Sequence, residues 1–549
     1  MVTGMDPFPQ SSRRHRGRAV VWDKKFEQRR EKAHLAEERK LIPEAQQSLI
    51  SAFFENERSR LDPLQYSFTA LRKYLERANE DDLKRDPTPY AHATPLALLD
   101  DRRDSTGRRS SDGVRHSARD WDGYIRYPPP GECGTSDILD AGQLYRKLLE
   151  SRLTDEANAE RRVIYISNLT PMCALAIAAT SSSTQRPVIR DFLQRYISYR
   201  VYFGVSNPRS FVIEFHLPYY ALRSSTARLK DPRRLRRCGK FIPSRDAPGA
   251  LEYLYEAQIS FLIIGVDEWY WTAYCLADTY FGSEETIQSY NDRQLDGFTT
   301  QSREFPVWNP RQYALLVMSR RMKQVAKEWT NVINTLETRL EYHEESIFNE
   351  LNEEPAFEDD KSFSRTKDYT SRVQLLRLLY NALVKTVESW ESFEAGEIRF
   401  FDLPNDGILQ ALWNSYLADM EKDMTELRFL CRSVQQRIEM FDNMRNGLVN
   451  ASALVESRMA TDQNQNIGEL TKVTVDQNHS IGRLTKVAVL YLPLTLASAI
   501  FSMTIMPKGA SWIAYAILVF ALSMVTLAWA GFLTNIMQLG RRKVCNIWR

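Results

Sequence analysis

Disulfide chemistry has little to work with in this chain. Its six cysteines, Cys133, Cys173, Cys238, Cys275, Cys431 and Cys545, are scattered without a CxxC pair, which argues against a disulfide framework or a zinc knuckle. Histidine is sparse as well, seven residues with no HExxH or comparable spacing, so no metal centre is written in the sequence. Net charge is nearly absent: +3 over 549 residues is too little for binding polyanions by bulk electrostatics. The first forty residues are polar and lack the apolar run of a signal peptide. Arg13, Arg14, Arg16 and Arg18 allow a mitochondrial presequence, but the acidic, lysine-rich stretch 23–40 follows at once and opposes it. Asp267 and Glu268 sit between an apolar strand and Trp269-Tyr270-Trp271. No nucleophile or phosphate loop accompanies them, and the chain reads as a non-enzyme.

What is present in quantity is apolar sequence. Two stretches, 487–506 and 512–537, contain no charged residue, and each exceeds or matches the roughly 20 residues a spanning helix requires. The linker Pro507-Lys508-Gly509-Ala510-Ser511 leaves room only for a reversal, so an antiparallel transmembrane hairpin is expected. Arg483 and Lys486 precede it and Arg541, Arg542, Lys543 and Arg549 follow it, against Lys508 alone in the loop. The positive-inside rule then places both termini in the cytosol of an integral membrane protein.

Four zones precede the basic tail, 541–549. Residues 1–125 are rich in charge, Ser, Arg and Pro and read as largely disordered, with helix signals near 24–60 and 66–80. Residues 126–300 carry short β-branched and aromatic runs, 163–166, 199–203, 211–215 and 259–264, with a helix at 188–197, the pattern of an α/β domain. Residues 301–486 show helical periodicity. Trp413, Met420, Leu427, Val434, Phe441, Leu448 and Val455 recur every seven residues, with Leu417, Met424, Cys431 and Ile438 on a second seam. This spacing fits a coiled-coil stalk and equally a helix buried in its own subunit. The two transmembrane helices occupy 487–540. The fold class is thus an α+β membrane protein: an α/β cytosolic domain, a long helical bundle and stalk, and a C-terminal two-helix hairpin.

An internal repeat favours contact between subunits. Asp462-Gln463-Asn464 through Ile467, Leu470 and Lys472 recurs fourteen residues later as Asp476-Gln477-Asn478 through Ile481, Leu484 and Lys486. Fourteen residues are two heptads, so equivalent side chains stay on one stripe. The second copy runs into the first apolar stretch without a break.

The repeat helix, the Tyr491-Leu492-Pro493-Leu494-Thr495 segment, an aromatic-small-Met tripeptide before a second span, and the basic tail resemble the CorA-type magnesium transporter superfamily. The resemblance is strongest over 460–549, and the N-terminal zone has no counterpart in it. It implies a homopentamer in a lipid bilayer, with the first span of each subunit around a central pore. Pore-facing positions would be Asn478, Ile481, Leu484, Leu492, Thr495, Ala499 and Thr504. Apolar rings gate by dewetting and oxygen rings hold an ion's water shell; equally, Thr and Ala serve close helix packing in lipid. A divalent cation, Mg2+ by family, would be substrate and possible regulator, with no covalently bound cofactor.

The departures from that pattern are specific. Where the family has Gly-Met-Asn, this chain has Ser502-Met503-Thr504, and one hydroxyl replaces an amide that offers a carbonyl acceptor and two donors. Lys508 stands at the outer loop; five such ammonium groups within about 8 Å of each other would repel cations. Two charged runs remain. The acidic one, Glu341, Glu344, Glu345, Glu350, Glu353, Glu354, Glu358, Asp359 and Asp360, reads as a helix connection or a cation concentrator. The basic one, Arg223, Arg228, Lys230, Arg233, Arg234, Arg236, Arg237 and Lys240, reads as a solvated loop rather than a lipid contact. Neither interleaves aromatics as a nucleic-acid platform does, so no nucleic-acid partner is expected. The expected function is divalent cation transport; the alternative is a non-conducting, membrane-anchored oligomeric scaffold or sensor.

Overall fold

Among the described residues, β-branched and aromatic side chains gather into eight strands and the Gly- and Pro-poor segments into long helices. The computed structural model describes residues 20–31, 48–54, 68–85, 96–102, 136–152, 159–207, 209–243, 251–303, 306–350, 363–403, 407–502 and 512–545. In chain order the elements are α1 (Leu49–Phe54), α2 (Thr69–Leu75), α3 (Glu80–Lys84), β1 (Ala97–Arg102), β2 (Ser136–Leu139), α4 (Ala141–Leu149), β3 (Arg161–Ser167), α5 (Pro171–Thr180), α6 (Arg186–Ile197), β4 (Tyr202–Ser206), β5 (Phe211–Ser224), β6 (Cys238–Lys240), β7 (Glu252–Gly265), β8 (Trp271–Ala277), α7 (Ile287–Asp292), α8 (Pro310–Glu350), α9 (Ser364–Gly396), α10 (Gly407–Phe501) and α11 (Trp512–Cys545).

The strands form one sheet in the order β2-β1-β3-β8-β7-β5-β4, with β6 paired to β7. Only β3 and β8 run parallel; the other pairings are antiparallel. Strands β5 and β7 are its spine, paired from Phe211↔Gly265 to Ser224↔Glu252. Because side chains alternate along a strand, Ile213, Phe215 and Phe261 enter one core, while Val212, Leu262 and Ile264 enter another. Both faces are covered, which is why these strands read as continuous apolar runs rather than alternating ones.

The second core is closed by α1, α2, α4, α5 and α6. Helix α4 starts at a capping box between Asp140 and Gln143, and α5 at Thr170, whose side chain accepts from the Cys173 N–H ahead of Pro171. The first core is closed by α8, α9 and the part of α10 up to Asn446. Trp329, Trp390 and Trp413 are buried there. So are Met420, Met424, Leu427, Cys431, Val434, Ile438 and Phe441. Over 413–441 the heptad pattern therefore belongs to an intramolecular bundle, the second of its two sequence readings. The seam is apolar because α8 and α9 cover it.

Residues expected outside the folded domain contribute to it. Strand β1 pairs with both β2 and β3, and Phe26, Phe53, Leu71, Leu75 and Leu83 are buried in the two cores. The sequence signal was masked by charge: β1 reads Ala-Leu-Leu-Asp-Asp-Arg, and its acids are satisfied inside the protein by Arg161 and Arg162.

The chain divides into two compact units, Met1–Ala356 with Asp360–Asn446, and Phe357–Asp359 with Gly447–Arg549. The second contains the later part of α10 and all of α11. Among the described residues no helix is long and apolar enough to cross a membrane. This departs from the expected spans at 487–506 and 512–537; of those stretches, residues 503–511 and the side chains at 490, 497, 500, 501, 512, 514, 515, 530 and from 533 onward lie outside the described residues.

Candidate pore-lining face and buried polar layer

The repeat lies wholly within α10. At 100° per residue, Ile467, Leu470, Asn478, Ile481, Leu484, Leu492, Thr495 and Ala499 fall within roughly a third of the helix circumference and extend for about 48 Å. All are exposed in the single chain, Ile467 by 59%, Ile481 by 58%, Leu484 by 69% and Leu492 by 60%. Large apolar side chains in such a row exceed the scattered exposure usual on a monomer surface.

The hydroxyls of the repeat turn inward. Thr471 donates to the Ile467 carbonyl at 2.6 Å and its repeat-mate Thr485 to the Ile481 carbonyl at 2.8 Å, the back-bonding that satisfies Thr in a helix. Thr495 donates to the Leu492 carbonyl at 2.9 Å, so its oxygen lone pairs are what it offers outward. Pro493 lies inside the helix. With no N–H, it leaves the Val489 carbonyl without its ordinary helical donor and marks a point of easy bending beside Leu492.

Ser502 caps the described end of α10, its N–H on the Ser498 carbonyl at 3.0 Å and its hydroxyl on Ala499 at 2.9 Å. Met503, Thr504 and Lys508 lie outside the described residues, as do the side chains of the acidic run from Glu341 to Asp360.

The basic run is mostly exposed, as expected of a solvated loop, with Arg228, Lys230, Arg234, Arg237 and Lys240 at the surface, but two of its members turn into the interior. Arg233 and Arg236 are buried against Asp278, at 2.7 and 2.6 Å, and Arg233 also pairs with Asp231 at 2.8 Å. Arg223 grips Glu328 on α8 at 2.5 Å, and Arg237 meets Glu256 at 2.7 Å. Burial alone would raise the Asp278 pKa; the two guanidiniums outweigh it and pull the carboxyl down to about 2.

Beside this cluster, on the α6 side of the sheet, lies a polar layer that the sequence did not announce. Glu214 and His216 on β5 face Ser260 and Gln258 on β7, with Arg195 of α6 on Glu214 at 2.7 Å. A Ser-His-Glu set has the composition of a hydrolytic triad, but Ser260 and His216 are 0% exposed. No substrate reaches them, and the arrangement is structural. Its one sequence clue is the i, i+2 placement of two ionisable residues in an otherwise apolar strand. Asp267 and Glu268 are likewise structural: Asp267 Oδ1 accepts from the N–H groups of Trp269 and Tyr270 at 2.9 and 2.6 Å, and Glu268 pairs with Arg311 at 3.2 Å. Among the described residues no group of three or more His, Cys, Asp or Glu is placed to hold a metal ion.

Comparison with solved structures finds the chain similar to the CorA magnesium transporter from Methanocaldococcus jannaschii, at 8% identity and a TM-score of 0.30, over 70% of this chain and 92% of that one. It is also similar to the full-length CmaX protein, at 12% identity and a TM-score of 0.30, over 70% of this chain and 90% of that one. No family model and no curated protein sequence matches.

Proposed function

We propose that this protein is a CorA-like transmembrane transporter of divalent cations, Mg2+ first among them, working as a homopentamer whose first C-terminal span lines the pore. The observation that carries the reading is the exposed stripe on α10 from Ile467 to Ala499. An apolar row about 48 Å long on a helix with a two-heptad repeat requires like helices against it, and its change from Leu to Thr along the same face suits a path for hydrated ions. In this reading 487–506 and 512–537 cross the bilayer, both termini face the cytosol, Leu484 and Leu492 form apolar gating rings, and Thr495 and Thr504 present oxygens to the ion's water shell. Pro493 supplies the bend beside the Leu492 ring.

A second reading has its own support. Ser502-Met503-Thr504 and Lys508 weaken an outer cation site, which favours a non-conducting oligomeric scaffold or sensor. Flux of Mg2+ into proteoliposomes, read by an internal dye, separates the two. The transport reading expects native flux, abolished by Leu492→Glu if the substituted ring traps the ion and raised severalfold by Lys508→Glu. A pentamer in detergent that passes no Mg2+, Co2+ or Ni2+ establishes the scaffold instead, and a monomer overturns both.

A further inference from the structure

Residues 20–31 cross the first unit as an extended strap. The strap contains one 3-10 turn, Lys24–Glu27, capped by Asp23, and joins no strand of the sheet. It is nevertheless anchored by two aromatic plugs four residues apart. Trp22 is 8% exposed and Phe26 0%. The Trp22 ring centre stands 5.1 Å from those of Phe211, at the start of β5, and Phe400, in the turn between α9 and α10. The Arg311 guanidinium, in the first turn of α8, lies 4.2 Å over it. Phe26 meets Phe211 edge-on at 5.4 Å.

Main-chain and charged groups complete the seat. The Glu268 N–H donates to the Phe26 carbonyl at 3.0 Å, and the Arg30 N–H to Asp267 Oδ2 at 2.9 Å. Asn207 donates to the Val21 carbonyl at 2.6 Å, and Arg29 pairs with Glu160. The second Glu160 oxygen is buried and accepts nothing. This is how a bound peptide is held: aromatic anchors in pockets, a few backbone hydrogen bonds, and charge complementarity at one end. The walls also come from different layers. Phe211 opens β5, Glu160 directly precedes β3 and Asp267 lies in the turn between β7 and β8, whereas Arg311 belongs to α8 and Phe400 to the turn between α9 and α10.

We propose that residues 20–31 are a docked peptide in a groove that recognises Trp-x-x-x-Phe-x-x-Arg-Arg, and that their release uncouples Phe400 and the first turn of α8 from the start of β5. The groove thus has a defined partner chemistry, two aromatics at i and i+4 followed by a basic pair, and its present occupant is the chain's own strap. This goes beyond the transport reading and does not depend on it.

The test uses the full chain in detergent with a site-specific protease sequence inserted between Glu31 and Ser48. After cleavage, the N-terminal fragment is expected to co-elute with the rest and to be displaced by a synthetic peptide of residues 20–31. The same peptide carrying Trp22→Ala and Phe26→Ala should need at least tenfold higher concentration. Glu160→Gln in the protein should weaken wild-type peptide binding severalfold. Displacement should speed amide exchange at least tenfold at residues 311–317 and 398–401, and added peptide should restore protection. The proposal is overturned if millimolar peptide leaves the fragment in place, if removing the fragment unfolds the sheet domain, or if it leaves with exchange unchanged.

Discussion

His216 and Glu214, two residues apart on β5, are joined by a 2.7 Å contact between Nε2 and Oε1, sealed at 0% and 4% exposure. Burial would raise the Glu214 pKa, but the His216 hydrogen bond and Arg195 outweigh it and hold the carboxyl below its usual range. A carboxylate only accepts, so the histidine proton sits on Nε2 and Nδ1 takes a hydrogen bond from Ser260 at 2.7 Å. Burial lowers the His216 pKa despite Glu214's opposing pull.

Acid is therefore expected to loosen this layer. Both folded pKa values lie below their unfolded ones, so the unfolded chain binds more protons as pH falls and the stability these groups contribute is lost in the same direction. For His216 the loss begins as pH drops through about 6.5. Urea unfolding of the first unit's signal at pH 7.5, 6.5 and 5.5 should show a falling midpoint, and His216→Gln should flatten that slope while lowering the midpoint at pH 7.5. An unchanged slope in the variant would show that other groups set it.

Asp278 should matter more. It accepts from Arg233, Arg236 and Tyr196 in a fully buried setting. Asp278→Ala would leave the Arg236 guanidinium without a carboxylate and Arg233 with Asp231 alone, a loss of about 3–5 kcal/mol for a broken buried pair. With its pKa at about 2 against an ordinary 3.8, its contribution is complete above pH 4 and disappears only as pH falls toward 2. Calorimetry at pH 7 should give the first result. A drop under 1 kcal/mol would mean that Asp231 substitutes for it.

These clusters also explain what the sequence could and could not disclose. Local pattern located β3, β5, β7 and α6 because continuous β-branched and aromatic runs mark strands buried on both faces, and helical spacing marks α6, whatever their partners. It missed β1, and it did not disclose that Arg233 and Arg236 leave an otherwise exposed loop for the interior, for one reason: charges in both are cancelled by residues far along the chain. Asp101 meets Arg162, and Arg236 meets Asp278, and no local pattern reports a distant counter-charge. The stripe on α10 was legible as a face because helical spacing is local. Its partner was not, since one chain leaves it uncovered.

The two parts of α10 should respond differently to mutation. Trp413 and Leu427 are 0% exposed within the bundle of the first unit, so Trp413→Ala and Leu427→Ala should cost about 3–5 and 2–5 kcal/mol. Neither should alter the mass of the assembly under native conditions. Light scattering combined with denaturant unfolding separates these effects, and a change in mass without lost stability would restore the coiled-coil reading for 413–441.

The converse holds for the repeat. Ile481 and Leu484 are 58% and 69% exposed in the single chain, so Ile481→Asp with Leu484→Asp removes no packing from the fold of either unit. In an assembly whose stalks meet on this face, however, the pair would set two carboxylates per subunit into an apolar seam, where burying an unpaired charge costs several kcal/mol each. The expected result is loss of the oligomer in detergent with the circular dichroism and thermal midpoint of the sheet domain unchanged. Asn464 and Asn478 share the stripe at the opposite sign of preference: replacing both with Leu should tighten the assembly while relaxing its copy number, since buried Asn specifies register and state at the expense of stability. If the doubly acidic variant keeps its native mass, the stripe does not hold the subunits together, and the pore built on it fails with it.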